Sequence, residues 1–178
     1  MGLDLLEFTL AIEESFGLYL PEADAVRLVT PGQIIDYLEG RLPPAVSPQC
    51  LDQLAFYHIR CASMKVLSKP RDAFRPDVLW RDVLLSEHQR RQWELVGQAV
   101  GLPKWPKLSL WGSWPKDVES MGGTARFLAM RCPSAVKGQA PAWTRREITE
   151  VITRLMAEEL GVTAFNMGDR FVQDLGLS

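Results

Sequence analysis

The chain has 178 residues, 47% hydrophobic and 24% charged, with a formal net charge of −2. That is enough for one ordinary domain or two small ones, and it excludes both a disordered composition and a strongly basic nucleic-acid-binding one. No run of about 18 apolar residues occurs, so no membrane span is expected.

The opening residues lack the basic stretch and apolar core of a secretory signal. Cys50, Cys61 and Cys132 form no CxxC pair. They read as reduced thiols of a cytoplasmic protein, with a Cys50–Cys132 bridge as the alternative. Charge is unevenly placed. Residues 1–42 carry eight acids and two bases (−6), residues 143–178 six acids and four bases (−2), and residues 43–142 fourteen bases and eight acids (+6). Opposed surfaces in one chain favour mutual docking or two different partners; a solvated surface of varying charge is the plainer alternative.

In chain order, residues 3–16 predict a helix with Leu5, Phe8, Ile12 and Phe16 on one apolar stripe, stopped by Gly17. A helical turn is expected over Ala23–Val29. Thr30, with Gln33 three residues on and Pro31 between, caps a helix that runs to about Glu39 and ends at Gly40, Pro43 and Pro44. Leu51–Leu67 predicts a long helix, and Glu87–Val100 another. Trp105, Trp111 and Trp114 lie among Pro103, Pro106 and Pro115 in an irregular loop, which reads as a packed loop or as a partner-binding patch. Thr144 and Glu147 make a capping-box pattern flanked by Trp143 and Ile148 at staple positions. The helix they open carries Ile148, Val151, Ile152, Leu155 and Met156 and closes at Gly161. The tail beyond it, with Phe165, Phe171, Val172 and Leu175, is too apolar to be a free end. No alternation long enough to build a sheet is present, so the fold class is all-α.

The two ends read as halves of one motif in reversed order. Joining the last residue to Gly2 gives DLGLS-GLDLLEF, followed by EESFGLYLP and TPGQIIDYL. In order and spacing this resembles the acyl carrier protein family, circularly permuted. The resemblance covers residues 2–42 with 143–178. It implies an acyl-carrier-like four-helix bundle split across the termini, plus a second small helical unit over about 50–132. That middle segment echoes the same plan: KPRDAFRPDVLWRDVLL (Lys69–Leu85) matches the loop phrase, GLPKWPKL echoes FGLYLPEA, and SMGGTARFLAMR (Ser120–Arg131) echoes TPGQIIDYLEGR. A degenerate internal repeat is therefore expected; any helix–loop–helix chain giving such echoes is the alternative.

In that family a serine at the start of the second helix carries a 4'-phosphopantetheine arm ending in an acyl thioester, in pathways such as fatty acid or polyketide biosynthesis. Helix N–H groups and the helix dipole favour the phosphate there. Carried over from Glu13, Glu14 and Phe16, the register puts Leu3 and Asp4 at the family's L-D. Gly2 then falls at the serine, and Ser178 at the aspartate before it. In this register Met1 is treated as an initiator residue inserted at the seam. An alternative register takes Gly2-Leu3-Asp4 as the family's G-x-D and also lacks the serine. Ser178 is thus the one candidate for cofactor attachment, and only if the seam closes. The resemblance further implies docking onto acyl-transferring or acyl-modifying enzymes with basic surfaces. Leu3, Leu6 and Leu10 form the outer stripe for this, rimmed by Asp4, Glu7, Glu13 and Glu14. Packing of that stripe on the basic middle of the same chain is the alternative.

No G-x-S-x-G, Walker loop or catalytic acid pair occurs, and His58 and His88 lie on separate helices without metal-ligand spacing. No catalytic residue, metal or nucleic-acid partner is expected, and the protein reads as a non-enzyme. Two functions remain: a carrier of an acyl-thioester arm, or an armless carrier-like docking module. A monomer closed within one chain is favoured over a swapped dimer.

Overall fold

In a computed structural model that describes residues 2–109 and 112–177, nine α-helices follow one another among the described residues. They are α1 (Leu3–Phe16), α2 (Glu22–Ala25), α3 (Pro31–Arg41), α4 (Leu51–Leu67), α5 (Trp80–Val83), α6 (Gln89–Val100), α7 (Met121–Arg131), α8 (Pro133–Lys137) and α9 (Arg145–Glu159). Single 3-10 turns occupy Arg71–Ala73, Ser86–His88 and Lys116–Val118. The fold is all-α; the described residues contain only two isolated β-bridges, Pro44 with Trp143 and Leu79 with Ser120.

Local chemistry sets several helix ends. Gly17 (φ 65°) and Gly101 (φ 69°) take the left-handed conformation that closes α1 and α6. Thr30 Oγ1 accepts the Gln33 N–H at the start of α3. Thr144 and Glu147 form the reciprocal capping box of α9. The buried Glu147 carboxylate has further partners: Oε2 accepts the Thr144 hydroxyl at 2.8 Å and Oε1 accepts the Gln49 N–H at 2.9 Å. One expected boundary is corrected. Gly40 does not end α3 but lies within it, and the helix stops one residue later, where Leu42 turns extended ahead of Pro43. An exposed helical glycine costs too little to break a helix whose other face is buried.

The chain separates into two compact units, Met1–Gln49 with Gly138–Ser178, and Cys50–Lys137. In the first, α9 packs against both α1 and α3. Its core holds Phe8, Ile12 and Phe16 of α1, Ile34, Ile35 and Leu38 of α3, and Ile148, Val151, Ile152 and Met156 of α9. Phe171 of the tail is buried and meets the Phe8 ring edge-on at 5.8 Å between centroids. In the second, α4 packs against both α6 and α7. Its core holds Ala55 and Ile59, Trp93 and Val96, and Met121, Ala125 and Leu128. Trp80 is fully buried and meets Trp93 edge-on at 4.9 Å.

Both units close on the same pair of backbone bonds. In the first, Gly32 N–H donates to Met167 O (2.8 Å) and Phe171 N–H to Val29 O (3.0 Å). In the second, Gly122 N–H donates to Pro76 O (2.8 Å) and Trp80 N–H to Glu119 O (3.0 Å). The spacing between the members is the same in each unit. Ser120 Oγ accepts the Gly123 N–H as Thr30 accepts that of Gln33. The second unit adds Met121 N–H to Val78 O (3.0 Å), a bond that Pro31 at the matching place has no N–H to make. A Cβ on Gly32 or Gly122 would lie 2.8 Å from the facing carbonyl oxygen, so a glycine is required at both.

Two tests follow from this packing. Phe171→Ala should lower the stability of the first unit by about 3–5 kcal/mol, the usual cost of emptying a buried aromatic site. A urea midpoint that does not move would show that the tail contributes nothing to that core. Gly122→Ala should destabilise the second unit, whereas Gly40→Ala, with nothing within 4 Å of its Cβ, should be neutral or stabilising by up to ~1 kcal/mol in the same assay.

Candidate functional site

Helix α1 has two faces of different use. Inward, Phe8, Ile12 and Phe16 enter the core. Outward, Leu3 (67%), Leu6 (44%) and Leu10 (51%) stand exposed at helical spacing. Glu7 and Glu14 are exposed beside them and Asp4 is half-buried. Glu13 is the exception in the rim: its Oε1 accepts the Leu20 N–H at 2.7 Å, so this carboxylate pins the loop after the helix. No base lies on α1, so the helix presents an apolar strip in an acidic field.

Core-facing residues of α1 and its neighbours line an apolar pocket of about 210 Å³. Leu5, Phe8 and Ile12 of α1, Ile34 of α3, Leu28 and Phe171 form much of its wall. The hydroxyl of Thr9, also in the wall, is satisfied by Leu5 O at 2.7 Å. The pocket is partly open to solvent, and its lining is mostly apolar. A hydrocarbon chain suits such a lining and a charged ligand does not.

The start of α1 is where the sequence placed its site. Gly2 is the N-cap, extended at φ −72° and ψ 173°, with no side chain to cap the helix; its carbonyl accepts the Leu6 N–H at 3.1 Å. Ser178, the candidate attachment residue, lies outside the described residues, as does Trp111 of the tryptophan loop. The second unit offers a position that the sequence reading passed over. Counting back from the left-handed glycine that ends each helix, Ser86 stands before Gly101 at the distance at which Gly2 stands before Gly17. Ser86 is exposed and opens the 3-10 turn that leads into α6. The signal was the equal spacing of the two glycines, hidden because DVLLSEH lacks the D-L-G of the tail.

Trp80, Trp93, Trp105 and Trp114 of the second unit form a packed cluster. Trp93 lies 4.6 Å from Trp105 and 6.0 Å from Trp114 between ring centroids. Trp80 Nε1 donates to Thr124 Oγ1 and Trp93 Nε1 to Pro106 O, each at 2.8 Å. Gly97 permits the stack, since a Cβ there would sit 2.5 Å from the Trp105 ring. His58 has a ring nitrogen 3.1 Å from Val136 O. Among the described residues no three His, Cys, Asp or Glu side chains are grouped to hold a metal, and no helix is long and apolar enough to cross a membrane.

All three cysteines are free thiols, Cys50 and Cys61 exposed and Cys132 buried. The Cys50–Cys132 bridge is therefore not formed. Burial raises the Cys132 thiol to about 11, against a smaller lowering by Lys104. Its Sγ–H faces Leu128 O and Pro103 O, each at 3.2 Å. No family model matches the chain, and no solved structure matches it.

At pH 8, iodoacetamide should label Cys50 and Cys61 readily and Cys132 only on unfolding, read by peptide mass. Full labelling of Cys132 on the native protein would refute its burial. The raised thiol also sets a direction with pH. Between about 9 and 11 the unfolded chain releases a proton that the folded one retains, so this contribution to stability is present below 9 and lost as pH rises through that window.

Proposed function

We propose that this protein is an acyl-carrier-like protein that carries, or once carried, an acyl-thioester arm and docks onto partner enzymes through α1. The observation that carries the proposal is the two-faced helix. Its outer side offers Leu3, Leu6 and Leu10 with Asp4, Glu7 and Glu14 around them, and its inner side borders an apolar pocket. In such a surface the acids steer a basic partner and the leucines supply the burial that holds it. The pocket offers an acyl chain an apolar wall to lie against at the side of the same helix. The protein itself needs no base or nucleophile for this work, because a separate transferase would install the arm.

A second reading, an armless docking module, is favoured by one residue. Gly2 stands at the N-cap of α1, where the resemblance calls for a serine. Ser178 beside the seam and Ser86 before α6 are the two hydroxyls that would restore a carrier.

Incubation with a broad-specificity phosphopantetheinyl transferase and coenzyme A, followed by intact mass and fragmentation, separates the two. One added phosphopantetheine on Ser178 or Ser86, lost in the corresponding alanine variant, is the result expected of a carrier. Folded protein without an adduct would leave the armless module.

A further inference from the structure

The second unit holds fourteen of the chain's twenty bases. Three of them, Arg60, Arg71 and Arg75, line one open concavity of about 440 Å³, together with Asp72, Phe74 and Pro76. Each guanidinium is held differently. Arg60 projects from α4 and lies over two rings of its own helix, 4.7 Å from the Tyr57 centroid and 5.2 Å from that of Phe56. A stacked guanidinium keeps its face covered and its edge N–H groups free, which fits them to a planar or tetrahedral oxyanion. Arg71 opens the 3-10 turn, is exposed, and has no carboxylate partner among the described residues. Arg75 meets only Asp77, at 3.4 Å, with both side chains well exposed, a weak surface pair that an incoming anion can replace.

The backbone under these side chains is tied down. Ala73 N–H bonds to Pro70 O and Phe74 N–H to Arg71 O, each at 3.1 Å, and Pro76 O accepts the Gly122 N–H of the closing pair. Phe74 is 1% exposed and anchors the loop in the core. Against the three cations the lining offers one carboxylate, Asp72. With Asp77 beside Arg75 counted as well, the net surplus is one positive charge, and what distinguishes the opening is its set of three guanidinium donors. That set matches a phosphomonoester or pyrophosphate group, which carries about −1.5 to −2 near neutral pH for the monoester and accepts several guanidinium N–H bonds at once.

We propose that the Arg60–Arg71–Arg75 concavity binds a phosphate-bearing ligand, its phosphate held by the guanidinium edges and its organic part lying toward Pro76. The ligand chemistry is shared by soluble phosphate esters and by a phosphomonoester lipid headgroup. Binding weakens with salt, since the site is open and charge-driven.

The test uses the full chain at low ionic strength, with pyrophosphate by titration calorimetry and with phosphatidylcholine vesicles containing phosphatidic acid by co-sedimentation. Arg71→Ala/Arg75→Ala removes two exposed side chains and should keep the circular dichroism and melting of the parent. The expected result is saturable binding that weakens about tenfold or more in the double variant and persists in Arg126→Ala, an exposed arginine outside the concavity. Pyrophosphate binding alone assigns a soluble ligand; arginine-dependent co-sedimentation assigns the headgroup. No binding in either arm, or equal binding by the double variant, overturns the proposal.

Discussion

Each unit depends on a helix start brought into backbone contact with a loop, and that contact exists only because the second helical residue is glycine. Gly32 and Gly122 let a main-chain carbonyl approach where any Cβ would stand 2.8 Å from the oxygen. The bond made there satisfies one of the N–H groups that every helix leaves unpaired in its first turn. Four residues along the same loop, a large aromatic enters the core, Phe171 in one unit and Trp80 in the other. The N–H of that aromatic residue bonds to the carbonyl just ahead of the capping residue. The approach of the loop, the cap of the helix and the burial of the ring are thus one arrangement, and losing any part exposes the others.

On this shared arrangement the two units carry different side chains. Where the first unit has Phe8 and Phe171, the second stacks Trp80, Trp93, Trp105 and Trp114, so its interior is filled by indoles and its loop after α6 is drawn over them. The first unit keeps an apolar pocket under α1 and carries fourteen acids against six bases; the second carries fourteen bases against eight acids. The proposed docking helix belongs to the former and the proposed phosphate site to the latter. The ion pairs of Arg145 with Asp36 and Glu39 join α9 to α3 on the surface and raise the guanidinium further. Being half exposed, they guide pairing more than they stabilise it.

Much of this was legible because it is local. The Thr30 cap with Pro31, the Thr144–Glu147 box, the stop at Gly17 and the span Leu51–Leu67 each depend on residues within one or two turns. The outward stripe of Leu3, Leu6 and Leu10 follows from helical periodicity once the inward stripe is fixed by Phe8 and Ile12. Gly40 was misread as a terminator because an isolated glycine signals a helix end only when no buried face carries the helix on. The role of Glu13 was hidden for a related reason: a carboxylate on a helix surface looks free until the following loop folds back to offer the Leu20 N–H.

By itself the sequence determined an all-α chain, its long helices, their caps and the division of charge, since propensity, capping and periodicity act between near neighbours. Tertiary structure alone decided what lies far apart in the chain and close in space. It set Phe171 on Phe8, brought Pro76 O to Gly122, seated Trp105 against Gly97 and turned Arg60, Arg71 and Arg75 toward one opening. Those pairings depend on loop paths and on the absence of a single Cβ, and no local pattern records either.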